Sequence, residues 1–149
     1  MNRFELARAT TPSQARELVA EKAGSVLKAG GIDLVDHLKE HLLEPPRVVD
    51  IKTIPGLDKI TASGDGSLRI GAATPCARIY NDAGIKQRFP ALVDSASVIG
   101  SVQVQSRASL GGNICNAGPA ADSAPTLIAL GAILRIGSKS GTRDIPVEQ

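Results

Sequence analysis

The chain has 149 residues, 17 Lys and Arg against 15 Asp and Glu, a formal net charge of +2 and a 42% hydrophobic composition. This excludes a disordered tail, which needs low hydrophobicity and high net charge, and the sequence has no uncharged apolar run of the ~18 residues that a membrane-spanning helix requires. At ~100–200 residues per domain, the length suits one domain or two small lobes sharing a core.

Thr11-Pro12-Ser13-Gln14 reads as a helix start, with Thr11 as cap, Pro12 at the first helical position and Gln14 completing a capping box. Ala15, Leu18 and Val19 give this helix an apolar face, and Gly24 stops it. A strand follows over Ser25–Ala29, ending at Gly30-Gly31. The next helix starts near Asp33, with Leu34, Val35, Leu38 and Leu42 on one side, and Pro45-Pro46 ends it. Val48–Ile51 is a strand, and Gly64-Asp65-Gly66 between Lys59–Ala62 and Ser67–Gly71 signals a hairpin.

Beyond the hairpin, Thr74-Pro75 caps a helix reaching about Gly84, and another runs from Ala91 to about Ile99 after Phe89-Pro90. Residues 100–125 carry almost no periodicity and read as a long loop. A short apolar helix over Thr126–Leu130 is ended by Gly131. A strand over Ala132–Ile136, a turn over Ser138–Gly141 and a returning strand from Arg143 close the chain. The order is βα-like first and mixed afterwards, so the expected class is α+β with two small lobes of mixed sheet and helices.

Function classes narrow by composition. The basic residues are scattered, and with no Trp and a single Tyr there are few stacking platforms, so no nucleic-acid partner is expected. Cys76 and Cys115 do not form a CxxC pair, and two cysteines cannot build a four-cysteine zinc or iron–sulfur site. The opening MNRFELARATTPSQ has no apolar signal region, so a cytoplasmic, reduced setting is expected. His37 and His41 have a metal-pair spacing but no third ligand, and both are expected on a solvated helix face. Cys76 stands at a helix start, where a thiol pKa can fall, against the plainer expectation of a buried inert thiol.

Two loops remain. In Ala29-Gly30-Gly31-Ile32-Asp33-Leu34 a strand runs through two glycines into a helix, whose free N–H groups and positive dipole end suit an anion. A tight turn that binds nothing explains it as well, and neither GxGxxG nor GxxxxGK[ST] is present. Ser109–Asp122 sets a hydroxyl, two amides and a carboxylate among glycines and alanines. Such a segment can wrap a polyhydroxyl or planar ligand, or be a buried crossover with Asx turns.

Together these residues resemble the FAD-binding subunit of molybdenum hydroxylases, the family of the xanthine dehydrogenase flavin domain and the carbon monoxide dehydrogenase medium subunit. The similarity rests on Ala29–Leu34, the Val48–Leu57 strand and turn, Ile70-Gly71-Ala72-Ala73-Thr74, Ala108–Asn113, Ala117–Asp122 and Leu127-x-x-Leu130-x-Ala132. It implies the PCMH-like FAD-binding fold, with residues 1–57 as a pyrophosphate lobe and 58–149 as a flavin lobe. By the same resemblance, Leu27, Lys28, Ala29, Gly30, Gly31, Ile32, Asp33 and Leu34 would hold the FAD pyrophosphate. Ser109, Gly111, Gly112, Asn113 and Asp122 would hold the flavin side, with Asn116, Ala117 and Gly118 lining the same pocket.

The implied function is electron transfer. FAD in this chain would take electrons from the iron–sulfur clusters of a small subunit and pass them to an external acceptor, with molybdopterin in a large subunit. No catalytic base and no metal site are expected here. Two positions depart from the family pattern: Ile32 replaces the usual hydroxyl residue, and Val104-Gln105-Ser106 replaces Ile-Arg-Asn, leaving Arg107 as the nearby cation. These favour the alternative of a non-catalytic structural subunit that does not hold FAD alone. The family pattern runs on past Gln149, so a second polypeptide completing the domain, or a fragment, is expected.

Overall fold

A parallel strand pair needs a crossover, and the first third of the chain supplies two. The computed structural model describes residues 1–138 and 140–149. Strand β1 (Glu5–Arg8) leads through helix α1 (Pro12–Glu21) to β2 (Val26–Lys28), and helix α2 (Ile32–Lys39) leads to β3 (Arg47–Asp50). The sheet order is β1-β3-β2, all parallel, with Leu6 and Val26 both registered on Val48. β1 was not evident in the sequence, although the strand it pairs with was.

The α1 start follows its sequence with one change. Thr11 Oγ1 accepts from the Gln14 N–H at 3.1 Å, while Gln14 Oε1 accepts from the Thr10 N–H at 2.7 Å, one residue earlier than a capping box requires. Ala9, Ala15, Val49 and Ile54 form the buried centre beneath this helix. α2 ends at Lys39, short of Pro45-Pro46, and His41 adopts a left-handed φ of 58°. The expected apolar face is therefore cut off: Leu38 is buried, whereas Leu42 is exposed.

The rest is helical with two hairpins. β4 (Ile60–Ala62) and β5 (Leu68–Ile70) pair antiparallel across the Gly64-Asp65-Gly66 turn. The helix expected from Thr74 to Gly84 is two, α3 (Cys76–Asn81) and α4 (Ala83–Arg88). They break where Asp82 Oδ1 accepts from the Ile85 N–H at 2.9 Å and caps the second. Thr74 is not the cap of α3: Pro75 holds that position, and the buried Thr74 hydroxyl has no partner among the described residues. Helix α5 (Pro90–Ser97) follows.

Residues 100–125 are not a loop. They contain α6 (Val102–Gln105), α7 (Leu110–Asn116) and the start of α8 (Ser123–Ala129). Helices of four to seven residues are too short to print a 3.6-residue pattern, and the signal lies in their caps. Ser101 Oγ accepts from the Val104 N–H, and Ser109 Oγ from the Gly112 N–H. The chain ends in the antiparallel hairpin of β6 (Ile133–Ser138) and β7 (Gly141–Pro146). The expected turn Ser138–Gly141 includes Lys139, which lies outside the described residues.

The second hydrophobic centre gathers Cys76, Ile79, Ile85, Leu92, Ala96 and Leu110, all aliphatic or small, with Tyr80 and Phe89 packed at its border. This is how a chain with one Tyr, two Phe and no Trp closes a core. Each carbon pair contributes little, but close packing sums many.

Candidate cofactor-binding site

The two glycine loops, far apart in sequence, line one cavity of about 340 Å³. From the first loop come Leu27, Lys28, Ala29, Gly30, Gly31, Ile32, Asp33 and Leu34; from α7 and its cap come Ser109, Gly111, Gly112, Asn113 and Asn116. Ala117, Gly118 and Asp122 lie outside the lining, on the stretch joining α7 to α8. Ala117 closes α7 with a left-handed φ of 51°, and Asp122 is exposed at the start of α8 without capping it.

The glycines serve the chain before they serve a ligand. A Cβ on Gly30 would run into the Arg107 carbonyl, and one on Gly111 would meet Ala72 Cβ at 2.7 Å. Gly31 needs its residue type twice over. Its φ is +81°, and a Cβ there would stand 3.1 Å from Lys28 Cε. The Gly30 approach brings the loop after β2 against the segment leading into α7, and the Gly111 approach brings α7 against Ala72.

Several polar groups on the cavity wall keep a donor to spare. Gly31 caps α2 without a side chain, so no residue of its own occupies the first N–H groups of that helix. Ser109 is buried, and while its Oγ accepts from the Gly112 N–H at 3.1 Å its own O–H has no partner among the described residues. Asn113 accepts at Oδ1 from the Ser123 hydroxyl, and its NH2 likewise has no partner there. Free N–H and O–H donors beside a positive helix end suit a ligand carrying phosphate and many oxygens, so the donor set fits a dinucleotide such as FAD.

Charge on the wall is nearly balanced. Lys28 Nζ donates to Asp50 Oδ2 at 2.9 Å, both side chains being mostly buried. Burial pushes the Asp50 carboxyl up, but hydrogen bonds from Lys28 and the Lys52 N–H outweigh it and hold it below the usual carboxylate range. Asp33 sits in the first turn of α2.

Several lining residues were missed or placed differently by the sequence. His37, expected on a solvated face, is half-buried and lines the cavity, because α2 lays its first turns along it. Only His41 is exposed, where its Nε2 accepts from the terminal ammonium and its Nδ1–H donates to the Glu44 carboxylate. Cys115, Ala72 and Ile51 also line it; the i, i+4 spacing of Gly111 and Cys115 on α7 could have pointed to the thiol. Gln105, in the position where the family pattern has Arg, is buried and donates from Nε2 to the Ser97 carbonyl at 2.7 Å. Its role is to join α6 to α5, and it does not line the cavity. Cys76 is fully buried, and burial pushes its thiol up to about 11, the reverse of helix-start activation.

Among the described residues no group of three or more His, Cys, Asp or Glu could hold a metal ion, both cysteines are free, and no helix is long and apolar enough to cross a membrane.

Known proteins share this fold. The family described as the FAD binding domain in molybdopterin dehydrogenase matches residues 2–149. The xanthine dehydrogenase FAD-binding subunit of Escherichia coli O157:H7 is 39% identical over 140 residues, covering 94% of this chain and 48% of that protein. The glyceraldehyde dehydrogenase medium chain of Sulfolobus acidocaldarius is 31% identical over 95% of this chain and 50% of its own. A solved structure of carbon monoxide dehydrogenase from Hydrogenophaga pseudoflava superposes with a TM-score of 0.95 at 28% identity, covering 99% of this chain and 51% of that one. The chain thus spans about half the length of the relatives it matches. By its match over nearly all of its length, the chain belongs to the family of FAD-binding domains of molybdopterin dehydrogenases.

Proposed function

We propose that the protein is the FAD-binding, electron-transferring part of a multi-subunit molybdenum hydroxylase. The observation that carries this reading is the meeting of the Gly30-Gly31 loop and the Ser109–Asn116 segment on one donor-lined cavity. Bound there, FAD would supply the redox chemistry, accepting electrons from iron–sulfur clusters of a small subunit and releasing them to an external acceptor. A large subunit would carry the molybdopterin at which substrate is oxidised.

The chain's own residues would bind and orient. Residues 27–34 would meet the pyrophosphate with backbone N–H groups at the start of α2, and Lys28 would lower the local negative potential while tied to Asp50. Ser109 and Asn113 would donate to the ribityl and ring oxygens, and Gly111 and Gly112 would let the cofactor approach the α7 backbone. Asp122, outside the cavity, would contact only a part of the cofactor that extends beyond it. Residues 1–57 and 58–149 would then act as two lobes closing on one ligand.

Three features of the wall favour the alternative of a structural subunit that holds no FAD alone. The single lysine on the wall is committed to Asp50, no arginine lines the cavity, and Ile32 brings no hydroxyl. The FAD content of the protein purified with its accompanying chains separates the two readings. A stoichiometric flavin complement that falls in the Asn113→Ala variant supports FAD binding at this cavity. Flavin absent from the wild-type complex supports the structural role.

A further inference from the structure

The stretch that joins α7 to α8 ends in a residue without an assigned role, Ser123. It is fully buried, which is costly for a hydroxyl unless it finds a partner. Its partner is a single atom: Ser123 Oγ donates to Asn113 Oδ1 at 2.5 Å, from the first turn of α8 to the middle of α7. Asn113 lines the cavity and Ser123 does not.

An asparagine amide offers an acceptor at one end and two donors at the other, and rotation about its last bond exchanges them. Left alone, Asn113 could show the cavity either end. With Oδ1 occupied by Ser123, the end without an intramolecular partner among the described residues is the NH2. The adjacent Ser109 hydroxyl accepts from the Gly112 N–H and still has its own hydrogen to give. In this arrangement Asn113 and Ser109 each keep a hydrogen to give, which suits carbonyl or hydroxyl oxygens of a ligand.

We propose that Ser123 is a positioning residue that acts through Asn113, anchoring its side chain against α8 so that its free NH2 hydrogens are available to acceptor oxygens of the flavin portion of FAD. The proposal rests on the reading of the cavity as the FAD site. Asp122, its exposed neighbour, makes no such bond, so the structural link between this stretch and the cavity runs through Ser123.

The test strips and retitrates the protein purified with its accompanying chains, using FAD as the probe. Ser123→Ala is expected to raise the FAD dissociation constant about two- to tenfold, the size of one lost hydrogen bond. It should also change the absorption envelope of bound flavin, a signature that loss of packing alone would not move. In an Asn113→Ala background the same change should add little, because Ser123 acts only through that amide. Wild-type affinity and spectrum in Ser123→Ala, or full additivity in the double variant, would overturn the positioning role. If Ser123→Ala loses native circular dichroism, Ser123→Cys keeps the volume with a weak donor and is held to the same readouts. Wild-type protein that takes up no FAD overturns the cavity's assignment and this proposal with it, whereas binding that Ser123→Ala leaves untouched overturns this proposal alone.

Discussion

Gly30 lies so close to Arg107 that any side chain on it would run into the Arg107 carbonyl, and Ala108 Cα stands 3.1 Å from where its Cβ would be. The missing Cβ lets the loop after β2 sit on the segment entering α7, and Gly30 and Ala108 both line the cavity. Gly30→Ala should therefore separate the two cavity walls. Backbone cannot yield as a side chain does, so we expect about 1–3 kcal/mol of destabilisation and a Tm lower by about 3–10 °C. FAD uptake should fall with it. Gly64→Ala is the control, since nothing stands within 4 Å of its Cβ. Thermal melts of both variants decide this: equal Tm values would mean that the Gly30 contact is dispensable.

The Lys28–Asp50 pair makes stability depend on acid. The folded Asp50 carboxyl lies below its usual value, so its contribution is present above the unfolded pKa of about 3.9 and is lost as pH falls through the lower folded value. Asp50→Asn should cost about 1–2 kcal/mol at neutral pH, since the pair is mostly but not wholly buried. The cost should shrink toward zero as the pH is lowered past the folded pKa. Urea midpoints for both proteins across the acid range check the sign.

The two thiols should react in separate phases. Cys115 is exposed on α7 and lines the cavity, whereas Cys76 is fully buried with its thiol pushed up to about 11. The thiolate is the reactive species, so a thiol reagent at neutral pH should modify Cys115 in the native protein and reach Cys76 only on unfolding. Bound FAD should slow the first phase. Mass spectrometry of the labelled peptides identifies which thiol reacted, and unchanged Cys115 labelling with FAD present would place the cofactor elsewhere.

Ile32 begins α2 on the cavity wall, where the family pattern has a hydroxyl residue. Ile32→Thr supplies one donor beside the uncapped helix end. We expect FAD to bind about two- to tenfold tighter, the value of one hydrogen bond. Isothermal titration measures this, and weaker binding by the variant would mean that Ile32 contributes through its apolar contact.

Much of this architecture was legible in the sequence, and the reasons differ by element. Helix α1 and the β4–β5 hairpin were written in local chemistry, a Thr-Pro start and a Gly-Asp-Gly turn, which need no tertiary partner. The first cavity wall was legible because a strand, two glycines and a helix follow directly in the chain. The helices within residues 100–125 were not, because α6 and α7 have only four and seven residues and are rich in Gly and Asn. The cavity that His37 lines is completed by residues of the distant α7, so the helical pattern of α2 alone points His37 to solvent. β1 and the Ser123–Asn113 bond are tertiary facts: a strand defined by its pairing with β3, and a hydroxyl defined by a neighbouring helix.

The central claim is that the two glycine loops together hold FAD. Its most direct measurement is the visible spectrum and flavin content of the protein purified with its accompanying chains, followed by FAD titration of the stripped protein. The account predicts yellow protein carrying about one FAD per chain, with uptake reduced in Gly30→Ala and Asn113→Ala. Colourless protein that takes up no FAD on titration, or uptake indifferent to both substitutions, would contradict it.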